Sequence, residues 1–136
     1  MSYLDIVANQ LEIDEGRRPL MYTDSRGNAT VGVGHNMAVP LSTAAINQIK
    51  ADDLAIADRA ARNIFLAFDD LTDARKAVLV NMAFNLGQAA LMTFTTFINL
   101  VDAGDYDEAA DDLATTLWHK QVGARALRLE QAMRDG

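Results

Sequence analysis

A chain of 136 residues can bury a real core and fits one domain or two small lobes, which excludes a multidomain architecture. Half of the residues are apolar and 23% are charged, which excludes disordered and fibrous classes. The lack of cysteine excludes a disulfide framework, a thiolate nucleophile and a cysteine metal site, and the formal charge of −7 argues against nucleic acid as a partner.

Along the chain, residues 1–10 carry Asp5 and no basic cluster, so they lack the layout of a secretory signal. No run approaches bilayer-spanning length, and membrane insertion is not expected. Ser2 caps a first helix, with Asp5 three residues later as a weak capping box, and Leu4, Val7, Ala8 and Leu11 form its apolar face. Gly16 ends it. Between Met21 and His35, the turn residues 24–28 lead into the alternation Ala29, Val31, Val33 against Thr30, Gly32, Gly34, which reads as a small antiparallel hairpin. Ser42, after Pro40, caps a long helix to about Phe65. The stripe of that helix, Ile46, Ile49, Asp53, Ala57, Ala60 and Ile64, is half polar and suits a connector between lobes. Everything beyond is helical: Thr72 opens a helix closed by Gly87, Thr93 one closed by Gly104, and Asp105 with Glu108 makes a capping box before Ala109, Ala110 and Leu113. A last helix covers residues 123–133. The expected class is α+β: a small N-terminal lobe containing a hairpin, joined by a long helix to an all-helical C-terminal lobe. As a single domain, 1–136, it divides into a lobe 1–41, a connecting helix 42–65 and a helical lobe 66–136.

Most acidic side chains are solvated surface charges. Glu15 differs by position: residues 4, 8, 11 and 15 share one helical face, so its carboxyl group is expected on the buried stripe. There desolvation and the negative helix end favour the protonated form, and a neutral carboxyl group is what protonating a glycosidic oxygen requires. Asp24, taken alone, is explained by capping its own turn, and threonine is common in strands, so Thr30 has an ordinary explanation too. A hairpin directly after a helix can nevertheless bring its carboxylate across a cleft from the carboxyl group at the helix end, as glycoside hydrolysis needs.

Glu15-Gly16, Tyr22, Asp24, Gly27 and the run Thr30-Val31-Gly32-Val33-Gly34-His35 resemble the catalytic segment of the phage lysozymes of glycoside hydrolase family 24. The spacing Glu-x8-Asp-x5-Thr is met without a gap. The likeness continues through Asn81-Met82, Phe84, Gly87, Phe94, residues 107–110, Trp118, Gln121, Arg125 and Arg128. The resemblance implies a two-lobed fold with a cleft, and inverting hydrolysis of the bond between N-acetylmuramic acid and N-acetylglucosamine. It implies no cofactor and no metal. It makes Glu15 the proton donor and gives Asp24 and Thr30 the attacking water. Phe84 and Gly34 become substrate contacts, His35 pairs with Asp52 on the connecting helix, and Arg125 approaches the glutamate from the other lobe. Phe94, Phe97 and Trp118 are expected in the core rather than under a sugar.

Three features depart from the family. The stretch from His35 to Ser42 is much shorter than in the T-even phage members, Phe97 and Asp112 replace smaller or neutral groups, and the acidic charge disfavours long-range attraction to an anionic wall. The expected protein is a monomeric muramidase acting on peptidoglycan glycan strands, made in a host cytoplasm and released to the periplasm or wall, in host lysis or during entry. The rivals are a lytic transglycosylase and a catalytically silent wall-binding protein on the same scaffold.

Overall fold

The computed structural model describes residues 2–136, and its backbone divides into two compact units, one ending at Ile46 and one covering Asn47–Gly136. The architecture is α+β: eight α-helices and one small antiparallel sheet among the described residues.

In the first unit, α1 (Tyr3–Glu15) starts from a complete capping box. The Ser2 hydroxyl oxygen accepts the Asp5 N–H at 3.3 Å, and the Asp5 carboxylate accepts the Ser2 N–H at 2.9 Å. Gly16, at φ 75°, ends the helix. Three strands follow in the order β1 (Arg18–Thr23), β2 (Ala29–Gly32) and β3 (His35–Asn36), with Thr30 opposite both Tyr22 and Asn36. The expected hairpin thus gains a third strand, because Gly34, at φ 69°, turns the chain straight back after β2.

The expected apolar face of α1 is not buried. Leu4 is 62% and Leu11 44% exposed, and no residue of the helix is buried, Glu15 included. A sheet of six-, four- and two-residue strands has too little apolar surface to cover a helix of 13 residues. Among the described residues of this unit only Thr30 is buried, so the most protected position of β2 is its polar one.

The long helix α2 (Thr43–Ile64) is capped by the Ser42 hydroxyl, which accepts the Ala45 N–H at 3.1 Å. It crosses the unit boundary, and its stripe is buried only in the second half, at Ala57 and Ala60, while Ile46 and Ile49 are about half exposed. After a 3-10 turn at Phe68–Asp70 come α3 (Asp73–Leu86), α4 (Gln88–Leu91), α5 (Thr95–Ala103), α6 (Tyr106–Ala114), α7 (Leu117–Val122) and α8 (Ala124–Asp135). Thr72 caps α3 and Gly87 ends it, as expected.

Two caps differ from expectation. The Thr93 hydroxyl donates backwards to the Ala90 carbonyl at 2.6 Å, and α5 begins two residues later with Phe94 at its cap. Asp105 does precede α6 but makes no side-chain cap bond. Its ψ of 66° lacks the extended setting found at Ser2, Thr72 and Thr116, which brings a side chain round to the helix amides.

The core of the second unit is built on Phe65, Leu79, Met82, Leu91, Phe97, Leu113 and Met133, all fully buried. Phe97 meets Phe65 edge to face at 6.0 Å. Trp118 is buried, with its indole N–H donating to Asn85 Oδ1 at 2.9 Å and its ring against Phe94. Two polar ties join α8 to other helices, one to its neighbour and one across the unit. His119 Nδ1 on α7 lies 2.5 Å from Glu130 Oε1 on α8, whose side chain is only 8% exposed. Arg75, in the first turn of α3, donates to the Met133 and Arg134 carbonyls at 2.9 and 3.0 Å and stacks on the Tyr106 ring at 3.7 Å. No helix among the described residues is long and apolar enough to cross a membrane.

Candidate active site

Asp24 follows β1 and begins a closed turn. Its N–H donates to the Asn28 carbonyl at 2.9 Å, and its own carbonyl accepts the Gly27 N–H at 3.1 Å. Gly27 sits at φ 85°, which glycine adopts without the steric penalty a side chain would bring. The Asp24 carboxylate folds over this turn. Oδ1 accepts the Arg26 N–H at 2.9 Å and the Asn28 N–H at 2.8 Å, while Oδ2 accepts the Asn28 side-chain amide at 3.2 Å. The Asn28 N–H bond does most to hold this carboxyl group below its ordinary pKa. Partial desolvation opposes it, and the Asn28 amide, the Arg26 N–H and the Arg26 charge assist. A carboxylate has about four acceptor positions. Three are taken, and Oδ2 keeps the remaining one.

Thr30 is 3% exposed. Its hydroxyl donates to the Asn28 carbonyl at 2.9 Å, so the proton is committed and the oxygen is left as an acceptor. The structure therefore brings Asp24 and Thr30 together through a residue that sequence reasoning treated only as part of a turn. The signal was the residue type: asparagine offers a donor and an acceptor on its side chain besides its backbone pair.

Glu15, the last residue of α1, lies against Gly34. A Cβ placed on Gly34 would stand 2.9 Å from Glu15 Oε2, 3.0 Å from Cδ and 3.1 Å from Cγ. With φ at 69° as well, the position requires glycine on two counts. On the role that the family resemblance implies for Glu15, Gly34→Ala is expected to push its side chain aside and lower glycan cleavage roughly 10- to 100-fold. The left-handed backbone should cost about 1–2 kcal/mol of stability, because the crowded atoms belong to a flexible side chain. Release of reducing ends alongside thermal denaturation checks this, and a wild-type rate would show that Gly34 does not hold Glu15 in place.

The other expected site residues are placed as follows. His35 begins β3, with its Nε2 buried and without a hydrogen-bond partner among the described residues. Asp52 is exposed on α2 and accepts from the Gln48 amide at 2.8 Å. Arg125 on α8 donates through Nε to Asn81 Oδ1 at 2.9 Å. Phe84 on α3 is 45% exposed, unlike Phe97 and Trp118. Phe84 and Arg125 line one concavity of about 420 Å³ in the second unit, with Lys50, Leu54, Val80 and Asn81.

Comparison with known proteins gives a consistent relationship. The family described as phage lysozyme matches residues 12–133. The chain is 23% identical to probable T4-type lysozyme 1 of Dictyostelium discoideum, over 96% of this chain and 94% of that protein. It is 25% identical to probable T4-type lysozyme 2 of the same organism, over 94% and 93%. It is 27% identical to the pre-baseplate central spike protein Gp5 of Enterobacteria phage T4, over 96% of this chain but 28% of that longer protein. With a match spanning most of its length, the chain belongs to the phage lysozyme family, whose members are lysozyme-type peptidoglycan hydrolases.

Proposed function

We propose that this protein is a muramidase that hydrolyses the β-1,4 bond between N-acetylmuramic acid and N-acetylglucosamine by inversion. Glu15 is the general acid, and Asp24 and Thr30 position the water. The observation that supports this reading is the split of hydrogen-bonding capacity between Asp24 and Thr30. Asp24 is an ionised acceptor with one open position, and the Thr30 hydroxyl already donates its hydrogen bond to the Asn28 carbonyl. A water placed between two acceptors donates both of its hydrogens, which leaves an oxygen lone pair to attack the anomeric carbon. Glu15 gives its proton to the departing glycosidic oxygen while the water passes one to Asp24, and the bond is replaced by two hydroxyl groups. A neutral threonine hydroxyl whose hydrogen is held by the Asn28 carbonyl, not by a base, is too weak a nucleophile to compete.

The enzyme on this reading is a monomer that serves phage-mediated host lysis, leaving the host cytoplasm to act on glycan strands in the periplasm or wall. Digestion of purified peptidoglycan tests the chemistry. Soluble fragments should carry reducing N-acetylmuramic acid ends, with the α-anomer first by proton NMR before mutarotation. Initial β-anomer would overturn the roles given to Asp24 and Thr30. 1,6-Anhydromuramyl products would make the protein a lytic transglycosylase, and wall binding with no fragments would make it a silent binder.

A further inference from the structure

We propose that Asn28 is the positioning residue of this site, one side chain and one carbonyl that together set the orientation of both water-holding groups. The proposal rests on the reading of Asp24 and Thr30 given above. The Asn28 amide donates to Asp24 Oδ2 at 3.2 Å, the oxygen that keeps an open acceptor position. Its carbonyl accepts the Thr30 hydroxyl at 2.9 Å, which turns the Thr30 lone pairs away from that bond.

A turn-forming role alone does not account for the amide. The turn is closed without the Asn28 side chain: the Asp24 N–H on the Asn28 carbonyl, the Gly27 N–H on the Asp24 carbonyl, and the Arg26 and Asn28 N–H groups on Asp24 Oδ1. All of these survive a change of side chain at position 28. Among the described residues the Asn28 amide has a single hydrogen-bond partner, Asp24 Oδ2. A neutral donor suits this place. It fixes the carboxylate without the full positive charge that would make Asp24 a poorer acceptor of the water's proton.

Asn28→Ala and Asn28→Asp test this in the full chain. The Asp24 carboxyl carbon is followed by NMR against pH, and kcat and KM are measured on soluble glycan fragments across the same range. Arg26, the charged group acting on Asp24, is unchanged throughout. Asp24 should titrate at higher pH in Asn28→Ala and higher still in Asn28→Asp, where a second carboxylate faces it. The acid limb of the rate profile should move by the same amount, kcat should fall roughly 10-fold, and KM and melting temperature should stay near wild type. An unmoved Asp24 titration, or an unchanged kcat, overturns the proposal. Should the alanine variant fail to fold, the nearly isosteric aspartate variant decides by the same two readouts. Failure of the underlying reading looks different: Asp24→Asn would then cleave at the wild-type rate, while the Asp24 titration would still move in Asn28→Ala.

Discussion

Glu15→Gln should retain the fold and lose about 10²- to 10⁴-fold in the release of reducing ends from peptidoglycan, the range contributed by a positioned general acid. The amide keeps the shape of the carboxyl group and removes the transferable proton. Because Glu15 is exposed at the end of α1, and only the flexible end of its side chain lies near Gly34, the substitution leaves no buried polar atom stranded. The melting temperature should therefore stay within about 2 °C of wild type, an effect of well under 1 kcal/mol. Wall binding, measured by co-sedimentation with insoluble peptidoglycan, should persist. Separation of these readouts identifies a chemical role. Cleavage by Glu15→Gln at the wild-type rate would remove Glu15 as the acid, and loss of rate together with collapse of stability would make it a structural residue.

The largest stability effect is expected from the second unit, far along the chain from that chemistry. His119→Ala strips the partner from Glu130, whose carboxylate is 8% exposed and lies 2.5 Å from the imidazole. Leaving a buried carboxylate uncompensated costs about 3–5 kcal/mol. Arg134 also feels the charge of Glu130, which favours the lower end, about 3 kcal/mol, or roughly 10 °C in melting temperature. Adding Glu130→Leu to His119→Ala should recover most of the loss, because the penalty comes from the stranded charge and an apolar residue there removes it. Urea denaturation of the single and double variants measures both steps. A single-variant loss below about 1 kcal/mol would mean that water or Arg134 takes the place of His119.

The parts of the fold legible in the sequence were those decided by neighbouring residues. Ser2 with Asp5, Thr72 and Gly87 act through bonds spanning three or four positions, so residue type and order suffice. Asp105 failed by the same reasoning, since its cap depended on a backbone angle that the sequence does not state. The face of α1 failed differently. Periodicity locates an apolar stripe but does not supply the surface that covers it. In the candidate site, Glu15, Asp24 and Thr30 stood out through their spacing and the resemblance that it carries. The contact of Gly34 with Glu15 and the hold of Asn28 on Asp24 depend on how the chain folds back after β2 and across the turn. Glu130 was one of 19 acidic residues, and nothing local marks the one that is buried.

The grip of Arg75 on the Met133 and Arg134 carbonyls joins positions 58 and 59 residues apart. That span sets an order of events during synthesis. While Met133 and Arg134 are still inside the ribosomal exit tunnel, α3 has nothing to clasp. Glu130 has not yet met His119, and the place of Met133 in the core is empty. The faces that α3, α6 and α7 present to α8 therefore stay uncovered until α8 emerges, while the short-range turn around Asp24 can already close. Final consolidation waits for the last turn of α8 to be released. Nascent chains stalled before that point should be cut readily by protease within residues 73–122, and chains carried clear of the tunnel by an appended C-terminal linker should resist.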